Sequence, residues 1–137
     1  MRIDTIRFGP LELGEETAIQ FPWGIPGFEN LKRYVLLEHG NGPFQWLQAV
    51  DDPRVAFVVC PPEVLGIKYK VPRDNIAQLE VEHPDDLLVL TIVSFDREKK
   101  TPRPHLTGPL LFNSITRIAA QWSIDSRDLP KYIESVE

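Results

Sequence analysis

The chain's 137 residues carry a formal net charge of −5, one cysteine and thirteen prolines, with 42% of positions hydrophobic and 26% charged. A lone cysteine excludes an intramolecular disulfide framework and fits a reducing compartment, and the acidic balance argues against the basic face with which proteins grip phosphate backbones. The length suits a single domain able to bury roughly two-thirds of its unfolded surface.

RIDTIRF, ending at Gly9-Pro10, is the first strand candidate. Its Asp4 and Arg7 stand where a secretion signal needs an apolar core, so no secretion is expected. ETAIQF follows and leads into residues 21–29, FPWGIPGFE, whose prolines and glycines forbid an ordinary helix or strand. This stretch is expected to be an architectural corner, with Trp23 or Phe28 packing beneath it. RYVLLE then ends at HGNGP, FQWLQAV at DDP, and VAFVVC at Pro61-Pro62. GIKYKV precedes PRDN, AQLEVE precedes HPDD, and LLVLTIVSF runs into the charged DREKKTPRPH. Each piece has about five to nine residues rich in Val, Ile, Phe, Tyr, Thr or Leu, the length and composition of strands. The longest apolar run is roughly ten residues, far short of the roughly 20 that span a bilayer.

IKYKV alternates Ile67, Tyr69 and Val71 against Lys68 and Lys70, one apolar face and one wet. FQWLQAV alternates less cleanly, and LLVLTIV reads as a strand buried on both sides. Residues 113–124 fit either a helix or a strand by periodicity. Asp128 is placed to cap a short terminal helix with Pro130 early in it. The expected architecture is all-β: a single-domain antiparallel barrel-like fold of short strands over residues 1–137, with at most a short C-terminal helix.

Residues capable of chemistry are scattered. Cys60 follows VAFVV and reads as a small hydrophobe at the end of a buried strand. His39, His83 and His105 form no ligand-spaced pair, and Glu15-Glu16, Asp51-Asp52 and Asp85-Asp86 all fall in turns that acidic residues favour. GNGP at 40–43 has the composition of a hairpin and not of a phosphate loop. No enzyme, metal, cofactor or small-molecule substrate is expected. The basic run with Arg97, Lys99, Lys100 and Arg103 reads as a solvated hairpin tip, or alternatively as an anion-binding arm. Five aromatics, Phe21, Trp23, Phe28, Phe44 and Trp46, are either interface anchors or lids on the core.

Taken in order, RFG at 7–9, GIPGFE at 24–29, PFQWLQAVDDP at 43–53, AFVVCPP at 56–62 and GPLLFN at 108–113 resemble the flagellar assembly factor FliW family. The resemblance covers nearly the whole chain, and GIPGFE followed by PFxWLQ is its most specific part. The chain departs from the family pattern at HLTGP, at Ala119-Ala120-Gln121 and at Ala49. The resemblance implies a non-enzymatic cytoplasmic protein with two protein partners. One is flagellin before export. The other is the carbon storage regulator CsrA, an RNA-binding repressor of flagellin translation that such proteins antagonise. No direct contact with nucleic acid or membrane is implied. The partner-binding candidates are Phe28, Glu29, Phe44, Trp46, Gln48, Asp51 and Asp52, the aromatics as anchors and the acids facing a basic partner. Two rival readings are a direct RNA-binding β-barrel using Lys68, Lys70 and the 97–103 cluster, and an enzyme with Cys60 as nucleophile.

Overall fold

A computed structural model describes residues 1–98 and 100–136; Lys99 of the basic run lies outside the described residues. Twelve strands appear along the described chain: β1 (Arg2–Thr5), β2 (Gly9–Glu12), β3 (Ile19–Gln20), β4 (Arg33–Glu38), β5 (Gln45–Ala49), β6 (Ala56–Cys60), β7 (Ile67–Tyr69), β8 (Leu87–Phe95), β9 (Pro102–Pro104), β10 (Leu110–Asn113), β11 (Ala119–Gln121) and β12 (Ile133–Ser135). Two one-turn helices, α1 (Arg73–Ile76) and α2 (Leu129–Tyr132), complete the regular structure with four 3₁₀ turns. The fold is all-β and antiparallel, as the sequence predicts, and α1 adds one helical turn beyond the C-terminal one.

The main sheet runs β11-β10-β8-β6-β5-β4-β3, with β9 also on β8. Strand β8 organises it, pairing with β10 over 87–90, with β6 over 91–93 and with β9 over 93–95. The first and last strands then meet through a parallel bridge between Gln20 and Ile118. There the Gln20 amide donates to the Arg117 carbonyl at 2.9 Å, and the Arg117 guanidinium donates to the carbonyls of Thr17 and Ala18. Arg117 does this from a left-handed backbone, φ 61°, a conformation that costs a non-glycine residue about 1 kcal/mol or more.

Strand alternation sends one face of this closed sheet inward. Ile19, Phe21, Tyr34, Leu47, Ala49, Val59, Leu90, Leu110, Phe112 and Ala119 form one buried cluster. Phe21 sits at its centre, edge-on to Tyr34 at 5.1 Å and to Phe112 at 5.8 Å. The outward residues Val35, Gln48, Cys60, Thr91 and Leu111 are buried as well, so part of the outer face is covered. The β1–β2 ribbon lies over β4 and β5: its Ile6 amide donates to the Pro53 carbonyl, and Arg7 stacks on Trp46. The β7–β12 ribbon and the 3₁₀ turn Ala77–Leu79 cover the other side. Tyr69 donates to the Leu106 carbonyl at 2.6 Å, and the Asn113 side chain donates to the Leu79 carbonyl at 2.8 Å. Burial makes Cys60 a packed residue and pushes its thiol pKa up.

Two local expectations are corrected, and the helix-or-strand ambiguity of 113–124 resolves to strand at β11. AQLEVE forms no strand; a 3₁₀ turn over Ala77–Leu79 ends at Glu80 in a left-handed conformation, φ 54°. The Asn113 bond and burial of the Leu79 side chain outweigh its strand-like composition. Within 113–124, the Asn113 carboxamide accepts the amides of Ile115 and Thr116, turning the chain before β11. Asp128 precedes α2 without a capping bond and pairs with Lys131 at 3.3 Å instead.

Burial pushes the phenols of Tyr34 and Tyr69 each up to about 12, against about 10 in an unfolded chain. A raised phenol pKa favours the neutral folded form. The resulting stability is fully present below about pH 10 and drains away as pH rises through about 12, at about 1.4 kcal/mol per pH unit for each group. The Tyr34 hydroxyl has no hydrogen-bond partner among the described residues, so Tyr34→Phe should match or exceed the parent in stability at neutral pH. It should also lose less stability in alkali. Urea unfolding from about pH 8 to about pH 12 checks both; a variant weaker at neutral pH, or with an unchanged alkaline loss, contradicts this account.

Candidate functional site

FPWGIPGFE forms the corner between β3 and β4. Phe21 and Ile25 are the residues beneath it, while Trp23 is 51% exposed and Phe28 39% exposed. Neither Trp23 nor Phe28 is the buried plug expected from sequence, although one edge of Phe28 meets Phe57 at 5.2 Å. The reason is spacing. Phe21 still follows the inward alternation of Ile19, and the turn at Gly24 brings Ile25 back under it. Gly24 (φ 71°) and Gly27 (φ 90°) both take left-handed conformations. At Gly24 an added Cβ would lie 2.6 Å from the Glu29 Cα; at Gly27 nothing is within 4 Å.

Against this corner lies the loop between β5 and β6. Together they frame a groove of about 510 Å³ lined by Phe28, Glu29, Leu31, Asp52, Arg54 and Val55, among others. The groove thus brings together three of the seven predicted residues, Phe28, Glu29 and Asp52. Glu29 accepts the Gly27 amide at 2.9 Å, which, with its own backbone amide, holds its carboxyl below the usual range. Asp52 is gripped by Arg54 through two bonds of 3.1 Å, and this pairing, first through the side chain, lowers its pKa too. Asp51 stands beside them, paired with Arg33 at 3.0 Å.

Gln48 is not on the surface. It is 1% exposed, and its amide nitrogen lies 3.1 to 3.4 Å from the carbonyls of Ala49, Asp52, Pro53 and Val55. It therefore positions the 51–55 loop that makes one wall of the groove and cannot touch a partner directly. Phe44 and Trp46 form a second, separate cluster on the outer face. Trp46 is half-buried between the Arg7 guanidinium, 3.9 Å from the ring centroid, and the His39 ring at 4.9 Å. Phe44 packs edge-on to the exposed Phe95 at 5.5 Å.

Sequence reasoning missed Arg7, His39 and Phe95, because their partners come from other segments. Arg54 had a local signal, standing two residues after Asp52, a spacing repeated by Asp125 and Arg127. Of the basic run, Arg97 and Lys100 lie in the connection between β8 and β9, and Arg103 lies in β9 itself. Lys70 of the opposite candidate surface pairs with Glu134 at 3.6 Å. Among the described residues, no group of three or more His, Cys, Asp or Glu is arranged to hold a metal, and no helix is long and apolar enough to cross a membrane.

The corner makes its own prediction. Gly24→Ala combines left-handed strain with a backbone clash and should destabilise by about 2 kcal/mol or more. Gly27→Ala carries the strain alone, about 1 kcal/mol. Urea denaturation should rank them in that order; equal effects would show that the 24–29 approach is not tight.

Comparison with known proteins gives a consistent result. The family model described as "FliW protein" matches residues 2–133. A flagellar assembly factor FliW of Caldicellulosiruptor saccharolyticus is 36% identical over 125 residues, covering 90% of this chain and 82% of the relative. That of Azoarcus is 38% identical over 122 residues, covering 82% and 84%. A crystal structure of the flagellar assembly factor FliW aligns with TM-score 0.83 at 26% identity, covering 92% of this chain and 90% of that one. The fold, the order of the motifs and this coverage agree: the chain belongs to the FliW family of flagellar assembly factors.

Proposed function

We propose that this protein is a non-enzymatic, cytoplasmic binding module of flagellar assembly that takes flagellin and the carbon storage regulator CsrA as alternative partners. By binding the regulator it would relieve repression of flagellin translation, and free flagellin would displace it. The observation that carries this reading is the groove beside Phe28. It offers a large apolar ring, 39% exposed, on a rigid glycine-fixed corner, flanked by carboxylates. Rigid aromatic anchors with a polar rim suit an interface that must form and dissolve repeatedly, and the acids suit a basic partner.

In this reading Phe28 is the anchor, Glu29, Asp51 and Asp52 form the rim, and Gln48 holds the wall. The Trp46 and Phe44 cluster presents a second aromatic surface. Exchange of partners requires that each weaken the other by the same factor. The rival reading, direct RNA binding, draws on the exposed Phe95 beside Arg97 and Lys100. It predicts RNA binding without protein help and a steep loss with salt.

Titration calorimetry with each purified partner, then with both, tests the proposal. Binding tighter than about 10 μM is expected for each, with flagellin lowering the regulator's apparent affinity. Phe28→Ala, on a protein that still melts cooperatively, should weaken at least one partner by about 2 kcal/mol, roughly 30-fold. No heat from either partner, together with binding to flagellin messenger RNA alone, would replace this reading with the RNA one.

A further inference from the structure

The acidity of the chain is concentrated in one place. Residues 71–87 hold Asp74, Glu80, Glu82, Asp85 and Asp86 against Arg73 alone, a local net of −4 with His83 neutral, in a chain of −5. Elsewhere, Asp4, Asp51, Asp52, Asp125, Asp128 and Glu134 sit in ion pairs, while Glu15, Glu16, Glu38 and Glu63 are spread singly or in a pair along the chain with no salt bridge among the described residues. Among the described residues, none of the five acids of 71–87 has a salt-bridge partner.

The same segment encloses the apolar hollow of this region. Val71, Ile76, Val81 and Leu87 line a cavity of about 480 Å³ whose charged lining residues are Glu80, Glu82 and the single cation Arg73. A second hollow of about 200 Å³ shares Glu80 and Glu82 and adds Asp86 and Ile115. Ile115 is 71% exposed, the most of any large hydrophobic residue among those described. A mainly apolar hollow and a mainly polar one thus share an acidic ridge of Glu80 and Glu82. Glu80 stands on the ridge in a left-handed backbone conformation that glycine would adopt without strain, and its carboxylate makes no bond within the described chain.

We infer that this groove docks a basic protein segment that sets apolar side chains into the larger hollow and lysines or arginines against Glu80, Glu82 and Asp86. The apolar floor supplies burial and the sign of the rim selects the partner. A second copy of the chain fits badly, because acid would face acid. A metal is not the occupant, since these carboxylates do not converge as ligands do. The groove is lined by none of the residues of the Phe28 groove. The inference rests on the proposed function only in taking the occupant to be protein.

The test uses synthetic peptides, so failure of flagellin or the regulator to bind leaves it standing. An amphipathic leucine–lysine peptide is titrated into isotopically labelled protein, beside a leucine–glutamate peptide and a lysine-only peptide. Only the first should shift the amides of 71–87 and 114–116. E80Q/E82Q/D86N should weaken it about tenfold, and added salt should do the same. Glu80→Gly should also weaken it while melting no lower than the parent, separating lost binding from lost fold. Shifts that map elsewhere, equal binding of the lysine-only peptide, or an unaffected triple variant would overturn the inference.

Discussion

The structure depends on closing a sheet whose end strands meet over a very short overlap. The Gln20–Ile118 bridge joins β3 to β11, and Arg117 reinforces it by reaching the carbonyls of Thr17 and Ala18. An open sheet would leave two edges of unpaired backbone and an uncovered apolar face. Closure turns that face into a core in which Phe21 touches both Tyr34 and Phe112. The strained Arg117 backbone is the cost of placing its guanidinium where the bridge needs it. Closure also fixes where the functional surfaces lie, because the corner after β3 is carried on the closing strand itself.

Two features hold the Phe28 groove in shape. On one wall, Gly24 lets the chain approach Glu29 closely, Phe28 packs on Phe57 and Leu31 packs against the core. On the other, the buried Gln48 amide gathers the carbonyls of the 51–55 loop. As the proposed interface, a groove so pre-organised would spend little on ordering when a partner arrives. The acidic groove at 71–87 is built differently, from a one-turn helix, a 3₁₀ turn and a strained glutamate, and its unpaired charges are suited to steering a basic partner.

Much of the fold could be read from the chain because its strands are punctuated. RYVLLE, VAFVVC and LLVLTIVSF lie between glycines, prolines and acidic turns, and β4 and β8 match the first and last of these pieces residue for residue. AQLEVE misled because its apolar residues serve an outer layer, where Leu79 packs and Asn113 takes its carbonyl. No local pattern reveals that. Gln48 stood among the partner-binding candidates; that the face it points to is covered there by the β1–β2 ribbon depends on contacts between distant segments. The family motifs marked the Phe28 corner correctly but not which aromatics were buried. Asp85-Asp86 read as turn residues pair by pair; the charge excess over 71–87 is already in the sequence, and what the fold adds is the hollows that Glu80, Glu82 and Asp86 line.

The central claim is that partners meet this protein at the groove framed by 27–31 and 51–55. Amide hydrogen exchange of the protein alone and in complex with purified flagellin, and separately with the carbon storage regulator, tests it most directly. The account predicts slowed exchange at 27–31 and 51–55 in at least one complex. Bound complexes that leave both segments exchanging at the rate of the free protein would contradict it.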